Sequence, residues 1–201
     1  MKKGMLVGLS IAGAVLLLVV ILVMWSVGVY NSLVTLNEQV SQSWSQVENQ
    51  YQRRADLIPN LVNTVKGYAN FEKEVLTKVT EARASVSSIK ATPELLNDPQ
   101  AFQRFQSAQA NLSGALSRLL VTVENYPQLK ANENFLQLQA QLEGTENRIS
   151  VERMKFNQTV QEYNTKVKRF PAVIFAGMAG FGQKQYFRSA PGSENAPKVQ
   201  F

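Results

Sequence analysis

The polar side chains best placed to do chemistry in this sequence are those that fall where a helical core is expected. Glu146 and Arg153 lie among Leu142, Ile149 and Phe156, at steps of three and four residues that place all five on one face of a helix. A helical core excludes unpaired charges, because desolvating an ion without a partner is costly. If these two side chains point inward, they must therefore be paired.

Two other segments offer polar partners. Gln109 interrupts an apolar stripe between Phe105 and Leu112, and the segment 52–62, QRRADLIPNLV, carries polar side chains around Ala55. We predict a structural polar network that sets the register of the helices, with Glu146 as the first partner of this segment; its predicted members are Arg53, Arg54, Asp56, Asn60, Gln109, Glu146 and Arg153. Two alternatives stay open: a partner or ligand site lined by the same groups, and a slightly rotated helix that exposes them to solvent.

Pro59 stands in an otherwise continuous helical pattern. Its ring removes the hydrogen bond to the carbonyl of Ala55 and pushes against that carbonyl. We therefore predict a helix kink at Pro59, with the freed carbonyl beside Arg53, Arg54 and Asp56.

The composition argues against an enzyme. The 201 residues contain no cysteine and no histidine, which excludes disulfides, thiolate and imidazole metal ligands, a cysteine nucleophile and the commonest general base. No nucleophile, cluster of metal ligands or phosphate-binding loop accompanies the polar groups above. We predict no catalytic residue, no cofactor and no metal site.

The positive charge lies at the two ends of the chain. Of the net +6, Lys2 and Lys3 supply two charges and the segment 166–201, with six basic residues and Glu194, supplies five. The body between them is nearly neutral, with 13 basic and 14 acidic residues. A nucleic-acid-binding protein would carry a basic face on its folded body, so we predict no nucleic-acid partner.

The N-terminal residues 1–30 predict a membrane anchor. Residues 5–29 are almost wholly apolar, and at ~1.5 Å per residue they reach about 37 Å, enough for a ~30 Å hydrocarbon core with some tilt. Trp25 and Tyr30 stand where the interfacial aromatic belt is expected. A cleaved signal peptide is the alternative, but its apolar part would be shorter and would end in a small-x-small site. Lys2 and Lys3 precede the span and no cation follows it closely, so the positive-inside rule predicts a cytoplasmic N-terminus.

Beyond the anchor, apolar periodicity predicts an all-α fold. From Leu33 to Ala69 apolar residues recur at steps of three and four, and the pattern continues to Ile89. We predict one long helix, about 31–89, continuous with the anchor. A break near Gly67 is the alternative.

Prolines and capping residues delimit the other helices. Asp98 and Pro99 begin a second long helix, about 99–125, and Asn132 caps a third, about 133–168. With a short helix after Thr92, the prediction is an N-terminal transmembrane helix continuing into an antiparallel helical bundle over 31–170, built from three long helices plus a short one. A break in the first helix would make it a four-helix bundle.

The C-terminal segment 171–188 is apolar, rich in glycine and too short to span a membrane. It either packs over the open end of the bundle or contacts another subunit or the membrane surface. The neighbouring cations favour the second of these alternatives, a contact with a subunit or the membrane surface. Residues 189–201 have the composition of a disordered tail.

The chain resembles the LemA family of bacterial membrane-anchored proteins over about residues 5–187. The resemblance rests on three stretches, YNSLVTLNEQVSQSWSQVENQYQRRADLIPNLVNTVKGYANFE, LEGTENRISVERMKFNQTVQEYN and FPAVIFAGMAGFGQKQYF. The family typically has a histidine where this sequence has Phe71, so no role of that histidine is carried over. The resemblance implies an N-terminal transmembrane helix, an all-helical bundle and no enzymatic activity. Members are often encoded near membrane proteases, which suggests envelope maintenance by association.

These observations predict a non-enzymatic, self-associating scaffold of the bacterial cell envelope, anchored by a single pass in the inner membrane with its helical domain extracytoplasmic. The apolar stripe of the first helix, which outruns the second helix, and the apolar C-terminal segment motivate self-association. The alternative is an adaptor or regulator of a membrane protease or other envelope protein. The predicted partners are the lipid bilayer, further copies of the chain and such an envelope protein.

Overall fold

The apolar N-terminal segment and the first helix of the bundle form one continuous helix, α1, which spans Lys2–Lys66 in the computed structural model. The structure describes residues 2–68 and 71–188, so the predicted disordered tail, 189–201, lies outside the described residues. The further elements are α2 (Lys73–Ser87), a 3-10 helix (Pro93–Asn97), α3 (Pro99–Val123), α4 (Pro127–Lys130), α5 (Glu133–Lys168) and α6 (Ala172–Met178). No strand occurs among the residues that are described.

The prediction of one helix over 31–89 is wrong, and the alternative break near Gly67 is found. The chain leaves the helix after Lys66 and folds back as α2. This reversal buries four aliphatic side chains of α2, Val75, Leu76, Val79 and Val86. Burying each is worth about 1.5–3 kcal/mol, which a straight helix projecting beyond the bundle would forgo.

The predicted caps of the two later helices are present. The Asp98 Oδ1 atom accepts hydrogen bonds from the backbone N–H groups of Gln100 and Ala101, at 2.9 and 3.1 Å. The Asn132 Oδ1 atom accepts one from the N–H of Phe135 at 3.0 Å. Helix α5 has the predicted bounds, and α3 ends two residues before the predicted position 125.

The core is a bundle of four helices arranged as two pairs, in which α1 packs chiefly on α5 and α2 on α3. One apolar cluster surrounds Trp44, next to the anchor, and includes Phe102, Phe105 and Phe156. A second cluster lies at the far end, around Ile58 and its neighbours. The apolar stripe of α1 is therefore covered within the chain from Val40 onward, although the sequence suggested that it outruns the second helix.

The C-terminal segment lies along the α1–α5 pair at the anchor end and also contacts α3, where the backbone N–H of Arg188 donates to the Gln106 Oε1 atom at 3.3 Å. Asn164 exchanges two hydrogen bonds with the backbone of Lys184, both at 2.9 Å. Asn157 does the same with the backbone of Phe187, also at 2.9 Å. These amide pairs hold the extended chain in register, and the Phe187 ring enters the cluster around Trp44.

Candidate functional site

A buried arginine joins three helices at the centre of the bundle. Arg54 of α1 is only 1% exposed. Its Nη1 atom donates to the Glu146 Oε1 atom of α5 at 2.5 Å and to the Ser113 Oγ atom of α3 at 2.9 Å. Its Nη2 atom donates to the Oε1 atom of Gln109, also on α3. One planar guanidinium thus binds across the gap between α3 and α5, as its fork of donors allows.

Arg54 and its partner Glu146 differ in how far each side chain is exposed to water. The Arg54 guanidinium lies 5.2 Å from the ring centre of Tyr51, and its Nε atom has no hydrogen-bond partner within the described part of the chain. The Glu146 side chain is 42% exposed, so the ion pair is buried on the arginine side and open to water on the carboxylate side. Water therefore screens part of the attraction between the two charges.

The structure brings together three members of the predicted network, Arg54, Gln109 and Glu146. Three others lie on the outer face of α1, where Arg53, Asp56 and Asn60 are exposed. Their spacings of three, four and seven residues place them together on one side of the helix. The Asp56 carboxylate accepts a hydrogen bond from Gln52 of the same helix at 2.8 Å.

Arg153, the remaining predicted member, is directed to the C-terminal segment. Its guanidinium lies over the Phe187 ring, 4.5 Å from the centre, and donates to the backbone carbonyl of Arg188 at 3.3 Å. It does not pair with Glu146, although both occupy the same face of α5. Ser113, which the sequence did not single out, takes a place in the cluster because it stands one turn after Gln109 on α3.

The carbonyl freed by Pro59 has a partner that the sequence did not indicate. Helix α1 continues past Pro59, and the carbonyl oxygen of Ala55 accepts a hydrogen bond from the Nε atom of Arg83 on α2, at 3.0 Å. The sequence placed this carbonyl beside Arg53, Arg54 and Asp56; the structure gives it Arg83 as donor, with the side chains of Arg53 and Asp56 exposed. The predicted bend at Pro59 itself stays a prediction.

A cleft of about 560 Å³ opens above the Arg54 cluster, between α3 and α5. Arg54 and Glu146 line its floor, and Tyr51, Arg153 and Arg188 are among the residues of its walls. Burial raises the pKa of the Tyr51 hydroxyl above its ordinary value, against the opposing effect of the Arg153 and Arg54 charges. Three arginines, Arg54, Arg153 and Arg188, line the cleft beside a single carboxylate, Glu146, and this excess of positive charge suits binding of an acidic group better than proton transfer.

No group of histidine, cysteine, aspartate and glutamate that could hold a metal ion occurs in the part of the chain that the structure describes. Phe71, at the position of the family's typical histidine, packs on Tyr126 at the far end of the bundle, with ring centres 4.9 Å apart. Of the helices described, α1 is long and apolar enough to cross a membrane.

Comparison with known proteins adds a family and several relatives. The model of the LemA family matches residues 43–201. The chain is similar to the magnetosome protein MamQ of Magnetospirillum gryphiswaldense, with 28% identity over 181 residues, which cover 82% of this chain and 66% of the relative. It is also similar to the magnetosome protein MamQ 2 of Paramagnetospirillum magneticum, with 26% identity and the same coverage.

A third relative is protein LemA of Metamycoplasma hominis, with 26% identity over 144 residues, which cover 72% of this chain and 62% of the relative. The matched region thus spans 66% of the length of the two MamQ proteins and 62% of this LemA protein.

Proposed function

Because the chain belongs to the LemA family, we propose that it is a non-enzymatic, membrane-anchored helical scaffold of the bacterial cell envelope that associates with further copies of itself. The observation that carries this proposal is the continuity of α1. Its 65 residues extend about 100 Å, from the apolar segment into the centre of the bundle. No flexible linker separates anchor and bundle along α1, so the bundle moves with the anchor and stays close to the membrane, as a scaffold requires.

Membrane anchoring is supported by the exposure of the N-terminal half of α1. The large aliphatic side chains from Leu6 to Val23 are about half exposed or more. In water such a surface is far larger than the apolar patches that monomeric soluble proteins tolerate. The lipid bilayer covers it in our proposal.

Self-association receives its support from the anchor and from α5. Gly4, Gly8 and Ala12 recur at intervals of four residues, a spacing that lets two transmembrane helices approach closely, and no heavy atom lies within 4 Å of a Cβ built on either glycine. On α5, Leu136 and Met154 are 48% and 56% exposed. The apolar stripe of α1 beyond the anchor no longer contributes to this inference, because α5 and the other helices cover it.

The test compares two glycine variants of the full chain. Gly8→Leu places a bulky side chain on the face shared with Gly4 and Ala12, whereas Gly13→Leu introduces the same side chain on a different face, where a Cβ also meets nothing within 4 Å. We expect crosslinking between copies, in native membranes and in detergent, to be lost in Gly8→Leu and kept in Gly13→Leu. A parent protein that stays monomeric at every concentration would refute self-association. Equal crosslinking in both variants would place the contact elsewhere.

The second candidate function, an adaptor or regulator of another envelope protein, is favoured by the cleft between α3 and α5. Its arginines suit an acidic segment of a partner. Photocrosslinkers at Gln106 and Ser107, two residues of the cleft wall, would test it in native membranes. Recovery of one particular foreign protein supports the adaptor role, and recovery of self-crosslinks alone favours the scaffold.

A further inference from the structure

The short helix α6 is apolar on two sides. Ala172 and Ala176 point inward and are 5% and 1% exposed. The side away from them carries Val173, Ile174 and Met178, and Phe170 lies just before the helix; these four side chains are between 42% and 83% exposed, and we call them the outer face of α6. A helix that is apolar all round is normally covered on both sides, and the chain covers only one of them.

The position of α6 indicates what covers the other side. The Phe175 ring packs against Trp25 of α1 with ring centres 5.2 Å apart, and Phe181, just after α6, packs against Tyr30 at 5.7 Å. A ~30 Å hydrocarbon core takes about 20 residues of α1, so a span that starts near Leu6 ends near Trp25. Helix α6 therefore lies at the level where α1 leaves the hydrocarbon.

The charges next to α6 match a lipid surface. Lys168 and Arg169, both exposed, immediately precede the outer face. Cations beside an apolar helical stripe can reach lipid phosphates while the stripe enters the acyl-chain boundary. A protein partner would have to approach within the headgroup layer to reach the outer face of α6, whereas lipid is already there.

We propose that the outer face of α6 inserts into the leaflet at which α1 leaves the bilayer, so that the bundle contacts the membrane at a second point beside its anchor. This inference rests on the membrane anchoring proposed above. Insertion fixes the tilt and rotation of the bundle, because two non-collinear contacts constrain a rigid body more than one helix does.

The absence of cysteine makes the test direct. Ile174→Cys and Met178→Cys change exposed side chains, and each single thiol is labelled with a nitroxide in the full chain, reconstituted into nanodiscs of phosphatidylcholine and phosphatidylglycerol. Collision with oxygen, which prefers lipid, is compared with collision with a water-soluble nickel chelate. Leu16→Cys in the anchor reports the bilayer interior, and Val121→Cys, 70% exposed on α3 at the far end of the bundle, reports water.

We expect the oxygen-to-nickel accessibility ratios at positions 174 and 178 to be several-fold above the ratio at position 121 and below that at position 16. Ratios equal to that of position 121, with position 16 in lipid, overturn the inference and leave the anchor intact. An aqueous value at position 16 would instead refute the anchoring itself. Low accessibility to both reagents, with spin–spin broadening that disappears on dilution with unlabelled protein, would show that a second copy covers α6 and would also overturn the inference.

Discussion

Removing the guanidinium of Arg54 is the sharpest test of how the bundle holds α3 against α5. In Arg54→Ala, the buried amide of Gln109, 5% exposed, loses the donor to its Oε1 atom. An unsatisfied buried polar group costs about 1–3 kcal/mol. The side chain also leaves a cavity, because Arg54 is among the largest fully buried side chains. Glu146 adds little to the loss, since its exposed carboxylate can be hydrated. We expect the free energy of unfolding to fall by about 3 kcal/mol.

Glu146→Ala should have a smaller effect of the same sign. It leaves the Arg54 cation buried without its counter-charge, a change that costs about 3–5 kcal/mol in a fully buried pair. Because the Glu146 side chain is 42% exposed, water reaches the vacated site and the expected loss falls to about 2 kcal/mol. Since both variants break the same ion pair, the double variant should lose less than the sum of the two.

The measurement is urea unfolding of the full chain in a mild detergent, followed by the helical circular dichroism signal, for the parent, both single variants and the double variant. Arg53→Ala is the matched control, because Arg53 is the same residue type on the same helix but is exposed; its effect should stay within about 0.5 kcal/mol. A loss in Arg54→Ala no larger than that of the control, or strictly additive single variants, would refute the reasoning.

Two further predictions concern groups near this cluster. Arg83→Ala leaves the Ala55 carbonyl without its donor and should destabilise the protein by about 1–2 kcal/mol in the same assay; the exposed Arg104→Ala is the control, and equal effects would contradict the role of Arg83. Tyr51→Phe tests the raised pKa of Tyr51, which burial causes. The unfolded chain loses this proton first, so the parent's stability falls as pH rises above about 10, by up to ~1.4 kcal/mol per pH unit. Tyr51→Phe has no hydroxyl to ionise, so its free energy of unfolding relative to the parent should rise between pH 9 and 11. A difference between variant and parent that does not change with pH would contradict the raised pKa of Tyr51.

Capping residues and prolines, which act only on adjacent residues, predicted where α3 and α5 begin. The bounds of α5 follow from Asn132, whose side chain caps the first turn, and from a stripe that persists to Val167. The start of α3 follows in the same way from Asp98 and Pro99. These signals act through hydrogen bonds and dihedral angles of adjacent residues, so the sequence contains them completely.

The break after Lys66 was missed because the apolar stripes of α1 and α2 repeat at the same steps of three and four residues. The six-residue step from Ala69 to Val75 shifts the second stripe to another side of a continuous helix, and this shift was the signal of the break. A single glycine, Gly67, costs only about 1 kcal/mol inside a helix. The gain from burying Val75 and Val79 against other helices exceeds that cost, and it exists only when the chain folds back.

By itself, the sequence determined the all-helical class, the apolar N-terminal segment, the caps and the presence of polar side chains on core faces. The tertiary structure alone decided which of these side chains meet: Arg54 and not Arg53 binds Gln109 and Glu146, and Arg83 finds the carbonyl of Ala55. Neighbouring positions on a helix point about 100° apart, so the rotation of α1 about its own axis decides which of Arg53 and Arg54 is buried. Long-range pairing depends on where every other helix packs, which no local pattern specifies.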